Sequence, residues 1–417
     1  MRPRRIALIS SSFHPRTGGV EEHTRHVARE LVRRGHRVEV WTVDRGEQLG
    51  TRIVDGVTVR YLPCPLPARS PGAAIRFLGS APHAWRAWLR ARRALRPDVL
   101  HVQCFGPNGL YALALHRLTG IPLVVSSHGE TFMDDHDVFA RSRLLSTGLR
   151  AALSAAAAVT ACSRMVAEDL TTRFGARRAV VVQNGVDPAE FATHAEGGRP
   201  DAGTPDRRPT VLALGRVEHR KGFDLLLDAF ARADGPDGTR LVIAGDGGAL
   251  EPLRAQAARL GISGSVDFPG RLSRPAVAEA LARATVFVVP SRVEPFGIVV
   301  LEGWRAGLPV IATRNGGPAE IMTDGVDGLL VDPEDIDGLA SQISRVLRDE
   351  DLASRLAAAG GAKVGEYTWS RTAELYDGMY DRVLQKADAH RRPALEGPLR
   401  SAPRPSSAGS PLSSTER

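Results

Sequence analysis

The segment TVFVVPSRVEPFGIVVLE, residues Thr285–Glu302, predicts a strand, a short loop and a helix. Its first residues are apolar and β-branched up to Pro290, as in a buried strand. The turn Pro-Phe-Gly then leads into a second apolar run, with carboxylates at Glu294 and Glu302. We expect Glu294 in the loop and Glu302 about a turn and a half into the helix. A buried strand followed at once by a helix is the repeating unit of a parallel α/β sheet.

The same alternation extends over most of the 417 residues. In the first half the predicted strands are RIALIS, RVEVWTV, VTVRYL, DVLHVQ, PLVVSSH, AVTACS and VVVQN. In the second half they are TVLALG, RLVIAGDG, SVDFPG, TVFVVP, PVIAT and DGLLV. Because this length exceeds what one hydrophobic core accommodates comfortably, we predict two tandem open α/β domains.

The predicted boundaries follow changes in composition. The polar, Gly- and Pro-rich run HAEGGRPDAGTPDRRP predicts a linker, and the Pro-, Ser- and Arg-rich end of the chain predicts a disordered tail. The run YTWSRTAELYDGMYDRVLQ predicts a long closing helix, with Ser370 as a candidate N-cap. The resulting segments are a first domain over 1–192, a linker over 193–208, a second domain over 209–366, a closing helix over 367–388 and a tail over 389–417.

Composition is that of a globular protein, with 43% hydrophobic and 24% charged residues. The cysteines Cys64, Cys104 and Cys162 are too few and too scattered for a disulfide framework or a zinc site, which favours a reducing, cytoplasmic compartment. The apolar run near the N-terminus is too short for a signal peptide or a membrane span. Any membrane contact is therefore expected to be peripheral.

Charge is distributed unevenly along the chain. Residues 1–190 carry 27 Lys and Arg against 16 Asp and Glu, while residues 191–417 carry 28 against 31. The asymmetry favours an anionic partner for the first domain, although a general bias toward arginine explains it equally well. The basic helix HAWRAWLRARRALR, residues 83–96, offers Trp85, Trp88 and Leu89 to one stripe. Such a helix either lies on an anionic membrane or buries its tryptophans in the first domain.

Paired acids are also found in glycoside hydrolases, whose catalytic carboxyl groups lie about 5 to 9 Å apart. In a helix, the eight-residue offset from Glu294 to Glu302 corresponds to about 12 Å, which argues against that chemistry. Between them, the N–H groups of Gly297, Ile298 and Val299 at the helix N-terminus form a natural phosphate site. This layout suits a sugar nucleotide, with the sugar at one acid and the ribose at the other. The alternative is that Glu294 caps its helix and Glu302 is a solvated surface acid.

Basic residues follow another predicted strand of the second half. The segment LALGRVEHRKGFDLLLDAF places Arg216 and Lys221 in the loop between a strand and a helix. Open α/β sheets bind ligands at this end of their strands, and both side chains suit a diphosphate. Ordinary loop charges are the alternative explanation.

The first half contains two weaker patterns. Gly18 and Gly19 join the first strand to the first helix, where backbone N–H groups can approach an anion or a hydroxyl-rich ligand. His128 and Glu130, in SSHGE, follow another predicted strand. A lone histidine at such a position is more often a packed or solvated residue than a catalytic one.

Together these motifs resemble the retaining nucleotide-sugar glycosyltransferases of the GT-B fold, in the large family 4-like group that includes mannosyl- and glucosyltransferases and sucrose synthases. The resemblance covers about residues 4–387. The resemblance rests on the motifs TGGVEEH, SSHGE, QNGVD, GRVEHRKG, AGDGG, FPGRL, EPFGIVVLE and GLPVIATRNGGPAEI. It implies two Rossmann-like domains facing each other across a cleft, with the C-terminal helix crossing back to the first domain.

The resemblance also implies roles for individual residues. Arg216 and Lys221 would hold the diphosphate, Glu294 and His128 would contact the donor sugar, and Glu302 would take the ribose diol. The helix start at Gly297, Ile298 and Val299 would face the phosphates, the backbone around Arg271 would lie beside the base, and Gly18 and Gly19 would lie beside phosphates and acceptor.

The implied reaction moves a hexosyl-type sugar from a nucleotide-diphosphate sugar to a hydroxyl of a glycan, lipid-linked or small-molecule acceptor. It retains the anomeric configuration, without a protein nucleophile, and requires neither a metal nor another cofactor. No nucleic-acid partner is implied. The family's products suggest a role in cell-envelope or glycoconjugate biosynthesis.

Three other activities are compatible with parts of the pattern. Non-hydrolysing nucleotide-sugar 2-epimerases share the implied fold, and a non-catalytic nucleotide-sugar sensor would bind the donor without turnover. An NAD oxidoreductase is disfavoured, because no G-x-G-x-x-G follows a strand with an acid about twenty residues on. The identity of the base, the sugar and the acceptor is not encoded in any motif found.

Overall fold

The computed structural model describes residues 2–16, 18–67, 71–133, 137–187 and 208–391. The predicted linker, apart from Arg208, and the predicted tail, apart from 389–391, lie outside the described residues.

Fourteen strands form two sheets within the described residues. The first sheet contains β1 Arg5–Ser10, β2 Arg37–Asp44, β3 Thr51–Val54, β4 Val57–Pro63, β5 Val99–Gln103, β6 Leu123–Ser127, β7 Ala158–Ala161 and β8 Val180–Val181. The second contains β9 Thr210–Leu214, β10 Arg240–Ala244, β11 Val266–Gly270, β12 Val286–Val289, β13 Val310–Thr313 and β14 Leu329–Val331.

Helices connect these strands and close the chain. Those up to β8 are α1 Gly19–Arg33, α2 Pro71–Leu95, α3 Pro107–Thr119, α4 Val138–Arg141, α5 Arg143–Ala155 and α6 Arg164–Thr172. Those after β9 are α7 Phe223–Arg232, α8 Leu250–Arg259, α9 Arg274–Arg283, α10 Ile298–Arg305, α11 Pro318–Ile321, α12 Ile336–Arg348, α13 Glu350–Lys363 and α14 Trp369–Arg391.

Both sheets are doubly wound. Their strand orders are β3-β4-β2-β1-β5-β6-β7-β8 and β11-β10-β9-β12-β13-β14. Each order reverses direction once, between β1 and β5 in the first sheet and between β9 and β12 in the second. Ligands of open α/β sheets bind beyond the carboxyl ends of the strands at such reversals. The fold therefore marks two positions where loop residues are best placed to form a site.

One strand was not predicted. Strand β3 pairs with β4 in antiparallel register at the edge of the otherwise parallel first sheet. Its sequence, TRIV, has only four residues, and all except Val54 are exposed. A short exposed edge strand lacks the apolar run that reveals a buried strand.

The C-terminal helix α14 packs on the first sheet although it follows the second in sequence. Its Trp369, Tyr376 and Tyr380 are buried in one apolar cluster with Ile6 and Leu8 of β1. This contact matches the predicted crossing of the closing helix. Burial of these large rings makes the hydrophobic effect the main force that holds the helix there.

The start of α14 differs from the prediction. The helix begins at Trp369, and Thr368 Oγ1 accepts a hydrogen bond from the backbone N–H of Arg371 at 3.2 Å. Ser370 lies inside the first turn, so its prediction as the N-cap is wrong. Both hydroxyl residues fit a capping sequence, and only the helix boundary distinguishes them.

The basic helix of the first half is longer than predicted and buries its tryptophans. Trp88 is 1% exposed, stacks on Tyr111 and donates its indole N–H to the Pro63 carbonyl at 3.2 Å. Trp85 and Leu89 are partly buried against the same core. The stripe proposed for membrane contact therefore packs inside the first domain. Among the residues that the structure describes, none of the helices is long and apolar enough to cross a membrane.

Candidate active site

The strand reversal of the second sheet brings Lys221 and Glu294 together. Lys221 follows β9 and Glu294 follows β12, which are neighbours in the sheet. Lys221 Nζ lies 2.6 Å from Glu294 Oε2, and the Ser291 hydroxyl donates to the same oxygen at 3.1 Å. The two charged side chains are only 17% and 9% exposed. Their charges act on a neighbouring ligand with less screening than charges in open water.

Helix α10 begins directly beyond this pair. Its N-cap, Gly297, has φ 91°, a left-handed conformation that favours glycine. The first turn of α10 contains no acidic residue, whereas that of α1 contains Glu21 and Glu22 and that of α7 contains Asp224. Of these three helix N-termini, α10 is therefore the most favourable for an anion.

The other predicted diphosphate ligand lies nearer to solvent. The Arg216 side chain is 58% exposed, and its Nη1 lies 2.7 Å from Glu218 Oε1. Arg271, also exposed, lies in the loop between β11 and α9. Their contacts with the diphosphate and the base stay predictions.

Glu302 faces an arginine that the sequence did not reveal. Arg274 Nη1 lies 3.5 Å from Glu302 Oε1, and Arg274 Nη2 lies 3.4 Å from Glu22 Oε2 of α1. Burial tends to raise the pKa of Glu22, but the hydrogen bond with His26 and the charge of Arg274 outweigh it and lower that pKa to about 2. Arg274 thus links both sides of the cleft through two carboxylates.

Loops from the two domains meet around the acid and the lysine. A Cβ atom added at Gly129 would lie 2.6 Å from Pro295 Cγ, so SSHGE packs directly on the residue after Glu294. A Cβ atom at Gly19 would lie 3.8 Å from Ile298 Cδ1, so the Gly-Gly turn faces the start of α10. The structure therefore brings together four of the predicted motifs, two from each domain.

A further contact between the domains was also unexpected. The Glu320 carboxylate accepts hydrogen bonds from the backbone N–H groups of Arg164 and Met165, at 2.9 and 3.1 Å. These groups form the N-terminus of α6, so an acid of the second domain caps a helix of the first. The run RNGGPAEI contains Glu320, but nothing in the sequence shows which helix it reaches.

His128 and Glu130 have different environments within SSHGE. Glu130 accepts hydrogen bonds from the backbone N–H groups of Phe105 and His128 and from the Ser127 hydroxyl, each at 2.8 Å. Burial raises the pKa of Glu130 despite these bonds. Its hydrogen bonds hold the loop in shape. His128 Nε2 lies 2.9 Å from Gln103 Oε1, and burial lowers the pKa of His128 well below its ordinary value.

The sequence did not single out Gln103, although it contained a signal. His101 and Gln103 are polar residues two positions apart in the buried strand β5, so both side chains point to the same face. Buried polar groups need partners, and such a pair predicts a hydrogen-bonded network on that face.

Known proteins show where this architecture occurs. Residues 17–190 match the family described as Glycosyltransferase Family 4, and residues 197–362 match Glycosyl transferases group 1. The D-inositol 3-phosphate glycosyltransferase of Acidothermus cellulolyticus is 32% identical over 418 residues, covering 92% of this chain and 91% of that protein.

Solved structures agree on the fold. The sucrose-phosphate synthase of Thermosynechococcus elongatus superposes with a TM-score of 0.76 at 23% identity, over 91% of this chain and 99% of that one. Anabaena HepE, solved in complex with UDP and glucose, superposes with a TM-score of 0.70 at 20% identity, over 91% of this chain and 100% of that one. Two Rossmann-like domains of this arrangement define a GT-B glycosyltransferase fold.

The chain belongs to glycosyltransferase family 4, the family of the group 1 glycosyl transferases. It is therefore an enzyme of the glycosyltransferase class. The predictions of fold and family are confirmed.

Proposed function

We propose that this chain transfers a hexosyl group from a nucleoside-diphosphate sugar to a hydroxyl acceptor with retention of anomeric configuration. The observation that carries this proposal is the Lys221–Glu294 pair at the strand reversal, beside the N-terminus of α10 and opposite the first domain. The UDP and glucose bound by the structurally similar HepE support a donor of this class.

In this proposal each part of the donor meets a distinct set of groups. Lys221, Arg216 and the N–H groups at the start of α10 hold the diphosphate. Glu294 accepts hydrogen bonds from sugar hydroxyls, and Glu302 accepts them from the ribose diol. The sugar and the diphosphate are adjacent in the ligand, which matches the adjacent positions of Glu294 and Lys221.

The chemistry breaks the bond between the anomeric carbon and the β-phosphate oxygen. The acceptor oxygen forms the new glycosidic bond on the same face of the sugar, and its proton passes to the departing phosphate oxygen. Negative charge accumulates on the nucleoside diphosphate as it leaves, and Lys221 with the α10 N-terminus stabilises that charge. No protein nucleophile takes part in this path.

We propose that the reaction needs no divalent ion, because these cationic groups already face the leaving diphosphate. Transfer measured in excess EDTA should match the untreated rate. Activity that is lost in EDTA and returns with Mg²⁺ or Mn²⁺ would contradict this part of the proposal.

A cavity lined by residues of both domains lies beside Arg274. Its volume is about 290 Å³, and its walls include His14, Arg16, Glu22 and Arg25 of the first domain and Arg274 of the second. Because Arg274 also contacts Glu302, the proposed partner of the ribose, the cavity lies at the nucleoside end of the proposed site rather than at the sugar.

The outer face of α2 supports peripheral membrane contact even though Trp88 is buried and Trp85 is partly buried against the first domain. Ile75 and Leu78 are 70% and 68% exposed, and Arg86, Arg90 and Arg93 are at least partly exposed on later turns of the same helix. Exposed apolar residues combined with arginines fit an anionic bilayer. In a sedimentation assay, vesicles of anionic phospholipid should carry the wild-type protein into the pellet. The double variant Ile75→Asp and Leu78→Asp should stay in the supernatant. Equal sedimentation of both forms would remove this face from the proposal.

Two experiments test the function itself. Thermal-shift comparison of UDP, GDP and ADP identifies the base, since a ligand at 100 times its Kd adds about 2.7 kcal/mol of stability. Incubation of the matching nucleotide sugars with candidate acceptors should then release nucleoside diphosphate and form a glycoside whose anomeric configuration equals that of the donor. Conversion of the donor to an isomer without acceptor indicates an epimerase, and binding without release of nucleoside diphosphate indicates a sensor.

A further inference from the structure

His128 belongs to a buried polar chain that reaches the C-terminal helix. Gln103, the last residue of β5, is 0% exposed. Its amide oxygen lies 2.9 Å from His128 Nε2, and its amide nitrogen lies 3.2 and 3.4 Å from the two ring nitrogens of His101. His101 Nδ1 in turn lies 2.6 Å from the hydroxyl of Tyr380 in α14. In this arrangement the Gln103 amide nitrogen faces His101 and its oxygen faces His128.

The amide orientation determines which nitrogen of His128 carries a hydrogen. An amide oxygen only accepts hydrogen bonds, so His128 Nε2 must donate. Burial lowers the pKa of His128 well below its ordinary value, which keeps the ring neutral at pH 7. A neutral imidazole carries one N–H, so Nδ1 holds a lone pair.

That lone pair lacks a protein partner. Within the described ranges, His128 Nδ1 is buried and has no hydrogen-bond partner. Buried polar atoms are nearly always hydrogen-bonded, and an unpaired one needs a specific explanation. The next residue, Gly129, packs on Pro295 beside Glu294, so the loop that carries His128 borders the cleft. A hydroxyl of a ligand in that cleft would satisfy the nitrogen.

We propose that Gln103 is a positioning residue that holds His128 as the Nε2–H tautomer, so that Nδ1 accepts a hydrogen bond from a hydroxyl of the transferred sugar. The inference rests on the proposed function, because it concerns the same site. It also narrows the substrate class. A neutral acceptor nitrogen pairs with a hydroxyl hydrogen but not with a carboxylate oxygen, so the sugar position beside His128 must carry a hydroxyl group.

The tautomer can be measured on the full chain without substrate. We expect ¹⁵N NMR of histidine-labelled protein to show a protonated Nε2 and an unprotonated Nδ1 for His128, assigned by the signals missing from His128→Gln. Gln103→Met, similar in length but without an acceptor oxygen, should shift the hydrogen toward Nδ1 or mix the two tautomers. Gln103→Glu retains an acceptor oxygen and should keep the hydrogen on Nε2.

Ser126→Ala is the matched control. The Ser126 hydroxyl contacts His101 Nε2 at 2.7 Å and Tyr376 at 3.4 Å, so the variant disturbs the same network without removing the bond to His128. Its His128 signals should match those of the wild type. A hydrogen on Nδ1 in the wild type, or the same tautomer in Gln103→Met, would overturn the inference.

Kinetics supply the second readout, with the donor identified by the transfer assay. Gln103→Met should lower kcat/KM about 10-fold, the scale of one neutral hydrogen bond, while Gln103→Glu should recover much of the loss. If no nucleotide sugar reacts, the proposed function fails, and the tautomer measurement still stands. If transfer proceeds equally in wild type and Gln103→Met, only the role of Gln103 fails.

Discussion

At the scale of single residues, the site concentrates its positive charge on few side chains. The chain contains only three lysines, at positions 221, 363 and 386. Of these, Lys221 forms an ion pair with Glu294 at the strand reversal. Lys363 lies away from the strand reversal, and its Nζ is 2.7 Å from Asp327 Oδ2. Substitution of a lysine is therefore a specific way to test where the leaving group binds.

Lys221→Ala should lower kcat by about 10² to 10³, the effect of removing one donor to charge that develops in the transition state. Steady-state release of nucleoside diphosphate measures this. Lys386→Ala, the same substitution at an exposed position of α14, should leave kcat unchanged. Equal rates for wild type and Lys221→Ala would show that the lysine does not contact the leaving group.

Glu302→Ala should remove recognition of the ribose. A hydrogen bond to a charged group contributes about 1.5 to 3 kcal/mol, so the wild type should prefer a nucleoside diphosphate over its 2′-deoxy form by about 10- to 100-fold. The variant should bind both with equal Kd in titration calorimetry. Glu279→Ala, at a carboxylate that is 62% exposed on α9, is the control and should keep the preference. Equal Kd values of the wild type for the two nucleotides would contradict the assignment of Glu302 to the ribose.

At the scale of elements, α14 is held on the first sheet by buried polar contacts as well as by apolar packing. Asp377 is fully buried and pairs with Arg4 and with His36 Nε2, which lies 3.1 Å away. Asp381, one turn further on, pairs with the same arginine but is 41% exposed.

Asp377→Ala should therefore lower the free energy of unfolding by about 3 kcal/mol, because buried Arg4 loses its fully buried partner and keeps only the part-exposed Asp381. Asp381→Ala should lower it by at most about 1 kcal/mol, as expected for an exposed ion pair. Urea unfolding followed by circular dichroism compares them. Similar losses in the two variants would mean that burial does not determine the strength of this contact.

The histidines beneath α14 make stability depend on pH. Burial lowers the pKa of His23 from 6.5 to about 4 and that of His101 from 6.5 to about 3. Because the unfolded chain binds protons that the folded chain excludes, stability is fully present above pH 6.5 and is lost as pH falls toward these values.

The loss should be about 1.4 kcal/mol per pH unit for each buried histidine. The variant His101→Gln lacks one of these histidines. Between pH 6 and about 4.5, its unfolding free energy should therefore fall by about 1.4 kcal/mol less per pH unit than that of the wild type. His83→Gln, at an exposed position of α2, should leave the slope unchanged. A slope that is the same in wild type and His101→Gln would contradict the burial argument.

Elements and site differ in how far the sequence predicts them. Long apolar runs identify the buried strands. Because β9 and β12 are neighbours in the second sheet, the order of strands then places Lys221 and Glu294 together at the carboxyl ends of these two strands. The exposed strand β3 has no such pattern. Arg274 and Gln103 depend on contacts between distant segments, which no local periodicity encodes.

At the scale of the whole molecule, two strand reversals face each other across one cleft. Arg274 and Glu320 of the second domain contact Glu22 and the start of α6 in the first. The identity of these partners follows from how the domains meet, so the sequence predicted the cleft but not the ion pairs that cross it. In the proposed function, donor binding at Glu302 competes with Arg274, so the nucleotide would directly influence the contact between the domains.

The central claim is that the diphosphate binds between Lys221 and the N-terminus of α10. A crystal structure with the nucleoside diphosphate that gives the largest thermal shift tests it most directly. We expect a β-phosphate oxygen about 3 Å from Lys221 Nζ, with the backbone N–H groups of Ile298 and Val299 pointing at the phosphates. A diphosphate bound away from Lys221, for example at the N-terminus of α1 alone, would contradict the account.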